Sequence, residues 1–246
     1  NENKDNYTLN YKYFKEKCDE YAMLKPTLWY KLCVTILNRC IILPIECTTQ
    51  ETALTIFSTL NDRGMPLADS DIFKAKIYKH LGINERKKFT EDWKDLTELC
   101  KKGGFKIDDV FRYYSHILRE KEKEKSKEIA LRKFYAVGDY SRLKKNDLMP
   151  EIKSLAEFWF YINAREKVDE DLGYFISNNV RKKLHILSHY PNEFWRYVTS
   201  VYFINNKDKK DFNALFEKFL DKLTAFLFAK FINAPTVNAI KDDIYN

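Results

Sequence analysis

Glycine and proline are scarce in this chain, six of each in 246 residues. With few alternating apolar runs, that scarcity argues against a sandwich or barrel of many short, turn-linked strands, and helices are expected to dominate. No apolar run reaches the ~20 residues a membrane helix needs. The greasiest stretch, residues 223–232, is interrupted by Lys230, so a soluble protein without membrane contact is expected. Paired cysteine spacing is missing too. Cys18, Cys33, Cys40, Cys47 and Cys100 are odd in number, which fits buried thiols in a reducing, cytoplasmic compartment rather than a disulfide framework. Histidine is limited to four residues, and no Ser/His/Asp or Cys/His grouping follows from the spacing, so no nucleophile is assigned.

What is present is apolar bulk with a charged exterior. Hydrophobic residues make up 45%, aromatics 15% and charged residues 32%, which places the chain among globular proteins rather than disordered ones. Its length suffices for a core that needs no disulfide. Lys and Arg outnumber Asp and Glu by 43 to 36, a net charge of +7 that suits a polyanionic partner without demanding one.

Along the chain, Tyr7, Tyr11, Tyr13, Phe14 and Tyr21 flank a leading helix expected over 11–22. Pro26 suits the first turn of a second helix, in which Leu28, Trp29, Leu32, Cys33, Ile36 and Leu37 recur at three and four residues. The run from Arg39 to Cys47 is short, apolar and contains Pro44, and it reads as an edge strand at about 40–46. A lone strand leaves its backbone groups unpaired, so a partner is expected from upstream sequence, a second copy of the chain, or an unrecognised strand.

Thr48 or Thr49 caps a helix running to about Leu60, with Glu51 in its first turn. Asn61, Asp62, Arg63 and Gly64 stop it, since Asn tolerates the left-handed region and Gly64 enters it without penalty. A helix from about Asp69 buries Ile72, Phe73, Ile77 and Leu81 and ends at Gly82. Further helices are expected over 91–100, 108–118 (capped by Asp108), 150–162, 172–187, 194–203 and 212–232, the last with the strongest periodicity. Residues 119–128 alternate in sign without an apolar face and are expected to stand exposed, as a protruding helix or a loop. Residues 233–246 read as a fraying linker. No repeat of fixed length is visible, which disfavours a solenoid. The fold class expected is mainly α, a multi-helix bundle with one short edge strand.

The pattern Phe57-x-x-Leu60-Asn61-x-x-Gly64-x-x-Leu67, with Asp71-x-x-Lys74 after it, resembles the second signature of the GmrSD-like family, closely over about 41–81. The resemblance implies modification-dependent restriction endonucleases whose N-terminal domain has a ParB/sulfiredoxin-like fold, the edge strand being left over from it. It also implies an upstream Asp-Gly-Gln-Gln-Arg motif for nucleotide binding and hydrolysis and a downstream His-Asn-His nuclease, neither of which occurs here. The chain is therefore expected to be an excerpt, inactive alone. Residues 1–90 would be the C-terminal part of the ParB-like domain and 91–246 a helical domain. On the same grounds Asn61, Asp62, Arg63 and Gly64 form a wall of a nucleotide- or DNA-facing pocket. NTP and Mg²⁺ would serve the full-length parent, with no cofactor held by this part. Ala68 stands where the family carries Ser or Thr at a helix cap, with Asp69 the expected substitute.

Each of these readings has a plainer rival. The Asn61–Gly64 corner is equally a helix-to-helix turn chosen for its backbone. Read as a site, its amides and Arg63 suit a phosphate, while Asp62, Asp69 and Asp71 oppose one unless Mg²⁺ intervenes. His185 and His189 share a helix face but lack a third ligand, and a partly buried pair is expected; His80 and His116 are isolated. Lys144, Lys145, Arg181, Lys182 and Lys183 are candidate DNA backbone contacts, or else a solvated face. The resulting expectation is a helical portion of an NTP-dependent DNA restriction (phage-defence) protein. DNA, modified or not, is its partner, together with the missing N- and C-terminal domains and a second copy paired through the strand. The alternative is a non-catalytic helical scaffold for protein–protein contact; a stand-alone metal hydrolase lacks a ligand set.

Overall fold

The computed structural model describes residues 5–41, 44–49, 52–53, 56, 68–125, 127–163, 176–236 and 240–245. Among them every regular element is a helix. In order these are α1 (Asn6–Leu24), α2 (Pro26–Arg39), α3 (Asp69–His80), α4 (Ile83–Gly103), α5 (Ile107–Glu122), α6 (Leu131–Tyr140), a 3-10 turn (Ser141–Lys144), α7 (Leu148–Asn163), α8 (Asn178–Leu187), α9 (Phe194–Asn206), α10 (Phe212–Asn233) and α11 (Lys241–Tyr245). The expected strand does not appear: Cys40, Ile41 and residues 44–47 are in no regular structure, while Ile42 and Leu43 lie outside the described residues. No strand edge is therefore available among the described residues for pairing with a second copy.

The chain divides into two compact units, Asn1–Thr55 and Ile56–Asn246. Residues 90 and 91, where the sequence places its division, both fall within α4. In the first unit Asp5 caps α1 by accepting from the Thr8 amide at 2.8 Å, and Pro26 occupies the first turn of α2. No described side chain of either helix is buried: Tyr7, Tyr11, Phe14, Leu28 and Leu37 are all exposed. Thr49 accepts from the Thr52 amide at 3.2 Å, as its expected role as a cap requires.

The second unit is built around α5. Val110, Phe111 and every residue from Tyr113 to Arg119 are buried. Seven consecutive buried residues span almost two turns, so this helix is covered on every side, as an interior helix must be. Phe111 and Tyr113 are two positions apart, about 200° around the axis, and they enter different clusters. Phe111 meets Phe73 of α3, Trp93 of α4 and Tyr135 of α6, with ring centroids 5.0, 6.0 and 5.6 Å away. Tyr113 meets Trp159 of α7 at 5.4 Å and Tyr197 of α9 at 6.1 Å. Beyond it, Phe158 stacks on Phe203 at 4.2 Å and reaches Phe216 of α10. The Trp159 indole donates to Ser200 Oγ at 3.0 Å, satisfying a polar group in the middle of this packing.

Two expectations change on contact with the structure and a third is refined. Beyond the buried Arg119 the described residues to Glu128 are exposed, apart from the half-buried Glu124, as expected. α5 runs to Glu122, Lys123 closes it in the left-handed region, and several of the charges there have partners described below. Of the five cysteines only Cys100 is buried, its thiol pushed up to about 12 by burial and by Asp109; Cys18 and Cys40 are exposed. The C-terminal segment is no fraying linker either. Ile240 and Tyr245 are buried, Lys241 pairs with Glu128 at 2.8 Å, and Lys230 with Asp243 at 3.0 Å.

Tyr245 closes over His116, whose ring stacks on Tyr197 with centroids 4.2 Å apart. Burial, reinforced by Arg119 and Arg112, lowers the His116 pKa to about 3. A histidine titrating near 6.5 when unfolded and near 3 when folded leaves the unfolded state with more protons between those values. Stability from this group is therefore complete above pH 6.5 and declines below it. Between pH 7 and pH 5, above the range where carboxylates dominate, it is expected to fall by about 2 kcal/mol. His116→Phe, which keeps a ring against Tyr197, should remove that slope. Urea midpoints at pH 7, 6 and 5 for the two proteins check it; equal acid sensitivity would count against the assignment.

Candidate functional site

The corner Asn61, Asp62, Arg63 and Gly64 lies outside the described residues, which resume at Ala68. Its exit is informative. Ala68 is the extended N-cap of α3 and offers no side-chain acceptor. Asp69, the expected substitute, does not cap; it accepts from Arg132 Nε at 2.9 Å. The acceptor comes instead from α5: Asp108 Oδ1 takes the Ser70 amide at 2.8 Å, the bond a Ser or Thr at position 68 would have made locally. Asp108 consequently is not the cap of its own helix. That end is closed by Asp109, whose carboxylate accepts from the Lys106 amide at 2.9 Å. Of the carboxylates expected to repel a phosphate here, Asp69 is matched by Arg132, Asp71 is exposed, and Asp62 is outside the described residues.

The two groups of basic candidates are placed apart, each bordering its own depression. Lys144 reaches Asp139 at 2.9 Å and Lys145 reaches Glu122 at 2.9 Å. Arg181 lies over the Tyr161 ring at 4.7 Å, Lys182 is exposed, and Lys183 pairs with Asp221. Arg181 and Lys182 line a depression of about 580 Å³ together with Arg196. Lys144 and Lys145 line a larger one of about 860 Å³, between α3–α4 and the start of α7.

The wall of this larger cleft is set by an ion network that alternating charges alone do not reveal. Arg142 donates to the Phe134 carbonyl and to Glu122, each at 2.8 Å, pairs with Glu124, and lays its guanidinium 3.9 Å from the Phe134 ring centroid. Lys121 bridges Glu151 at 2.7 Å and Asp147 at 3.2 Å, tying the end of α5 to the start of α7. Burial works against the Glu122 charge, but hydrogen bonds from Lys145 and Arg142 hold its carboxyl below the usual range. Val137 is extended, and Gly138, Asp139 and Tyr140 all have positive φ, near 61°, 51° and 57°. That reversal delivers the 3-10 turn carrying Leu143 and Lys144 to the cleft.

Other candidates gain little. His185 and His189 are exposed rather than partly buried, their rings edge to face at 4.8 Å, with His189 Nδ1 2.9 Å from the His185 carbonyl. No group of three or more His, Cys, Asp or Glu suited to a metal ion exists among the described residues. No described helix is long and apolar enough to cross a membrane. Sequence reasoning missed Asn84, Lys88, Asn146 and Lys153, which line the larger cleft. Their only signal was position on the polar sides of α4 and α7 or, for Asn146, in the turn before α7, which is true of many surface residues.

In comparison with known proteins, residues 1–78 fit the family model for the N-terminal domain of the GmrSD restriction endonuclease. That span covers the first unit, the Phe57–Leu67 pattern and most of α3. No curated protein and no solved structure matches the chain.

The borrowed cap yields a compensation test. Asp108→Ala should destabilise the fold by about 1 kcal/mol and speed amide exchange at Ser70. Adding Ala68→Ser, which restores a local acceptor, should recover most of the loss in a denaturation cycle. Strictly additive effects would show that Asp108 acts otherwise.

Proposed function

We propose that this chain is a helical portion of a GmrSD-like, NTP-dependent DNA restriction protein of phage defence. In this reading it contributes the Asn61–Gly64 turn to a nucleotide- or DNA-facing wall and a helical body that binds DNA or serves as the linker to the nuclease. The observation that carries the reading is the match over residues 1–78 to the restriction endonuclease N-terminal domain, which encloses the Phe57–Leu67 pattern. The +7 net charge supports it, as do two separate basic-lined depressions. Asn61 and Arg63 would meet phosphate, with Asp62 and Gly64 shaping the turn. Division into residues 1–90 and 91–246 by ancestry belongs to the same proposal.

Of the implied NTP and Mg²⁺, the metal finds no fit among the described residues. Asp69 is committed to Arg132, Asp108 to the Ser70 amide, and no ligand cluster exists there. No step is assigned through it. A second reading, a non-catalytic protein-binding scaffold, is favoured by the exposed Tyr7, Tyr11, Phe14, Leu28 and Leu37 of α1 and α2.

Fluorescence anisotropy with a labelled 20-base-pair duplex separates the two. The restriction reading expects binding whose log affinity falls linearly with log salt, weakened at least severalfold by Arg63→Ala and by Asn61→Ala. Absence of duplex binding even at 50 mM salt would overturn it and favour the scaffold.

A further inference from the structure

The cleft between α3–α4 and the start of α7 has a chemistry that the family match does not cover, since all but one of its lining residues lie beyond position 78. At about 860 Å³ it falls within the size range of small-ligand sites. Its floor is apolar: Ile77, Phe89 and Leu96 on one side, Leu143 and Leu148 on the other, all buried. Its rim is cationic, with Lys88, Lys144, Lys145 and Lys153. Lys144 and Lys145 are shared with Asp139 and Glu122, whereas Lys88 and Lys153 make no ion pair among the described residues. Of the two acids in the lining, Glu85 is turned to its own helix start, accepting from the Gly82 amide at 3.0 Å. Asn84 and Asn146 add two exposed carboxamides.

These features together narrow the ligand class. A hydrocarbon chain would use the floor, but it needs enclosure, and Asn84, Lys88 and Asn146 leave the mouth open to water. A bare inorganic anion would use the lysines and leave the floor wetted. A flat heterocycle carrying a phosphate a few ångströms away uses both parts. Its ring faces lie on apolar side chains, and its edge pairs with carboxamides that offer donor and acceptor in one plane. Its phosphate meets the ammonium rim. We infer that this cleft binds a nucleotide unit, with its base on the apolar floor, its base edge at Asn84 and Asn146, and its phosphate at Lys88 and Lys153. A free nucleotide and an unpaired nucleotide of a nucleic acid share that chemistry. The inference stands on the cleft alone and does not depend on the restriction reading.

The intact chain is titrated with N-methylanthraniloyl-ATP and, separately, with a fluorescein-labelled single-stranded octanucleotide, with inorganic tripolyphosphate as a competitor that lacks a base. The Lys88→Ala/Lys153→Ala and Asn84→Ala/Asn146→Ala pairs change only exposed residues, so circular dichroism should remain that of the parent. Binding is expected to weaken about tenfold or more in the lysine pair and severalfold in the asparagine pair. It should be unchanged in Lys218→Ala, an exposed position of α10 that borders neither depression. Sensitivity with the labelled ATP identifies the free nucleotide as the source; sensitivity with the octanucleotide alone identifies the polymer. No binding of either probe, insensitivity of both to the cleft variants, or tripolyphosphate competing as well as unlabelled ATP overturns the inference. Loss of duplex binding on Asn61→Ala with this titration intact would touch the turn and leave the cleft standing.

Discussion

The constraint on which the second unit depends is that α5 has no face to offer water. A helix buried from Tyr113 through Arg119 must be covered by several neighbours at once, and α3, α4, α6, α7 and α9 are arranged to do so. Phe111 and Tyr113, on opposite sides of its axis, each anchor an aromatic cluster. The two clusters flank this helix within one continuous core, which α4 and α7 also bridge directly. Full burial also carries polar groups inside. Arg119 is accommodated between the rings of Phe134 and Tyr245 with Glu124 as its counter-ion, and His116 is kept neutral against Tyr197.

Where α5 ends, packing gives way to charge. The alternating run after Arg119 is used as a clasp. Glu122 and Glu124 receive Arg142, Lys121 receives Glu151 and Asp147, and Glu128 receives Lys241. Arg142 is the centre of this clasp, because a planar guanidinium can satisfy two carboxylates and a carbonyl while stacking on Phe134. The clasp holds the 3-10 turn and the start of α7 against α5. In doing so it sets one wall of the cleft whose other wall is α4. The site chemistry is thus a consequence of how the central helix is terminated.

Much of this was legible from spacing. The helices around Ile152, Phe194 and Phe212 appear within a few residues of where their three- and four-residue recurrence placed them, since one-sided burial writes itself into sequence, whereas the helix around Trp93 starts at Ile83, well before the expected residue 91. α5 was found as a helix but not as the centre. Burial on all sides erases periodicity, and Arg119 and His116 read as surface until their partners are known. α6 went unseen because it ends in a left-handed reversal at Gly138–Tyr140 that only Gly138 announces. The edge strand was inferred from β-branched composition at 40–46, a local preference that the described backbone there does not follow. The Asp108 cap was illegible in principle, since its donor is 38 residues away. The cleft was half legible. Lys144 and Lys145 stood out as a pair, while Asn84, Lys88, Asn146 and Lys153 converge only through tertiary packing.

The similarity over residues 1–78 and the helical body beyond it supply different kinds of information, one about ancestry and the other about a surface with its own chemistry. They meet at α3, which leads out of the Phe57–Leu67 pattern and is fastened to the body by Asp108 and Arg132. The account requires that α5 be the last element to open. Hydrogen–deuterium exchange of the intact chain, resolved to peptides, measures this directly. Amides of residues 110–118 should exchange slowest, with a protection free energy equal to that of global unfolding, and α3, α4 and α7 should open no later. If α10 or α4 outlasted α5, or if α5 exchanged through local opening, the body would not be organised around that helix.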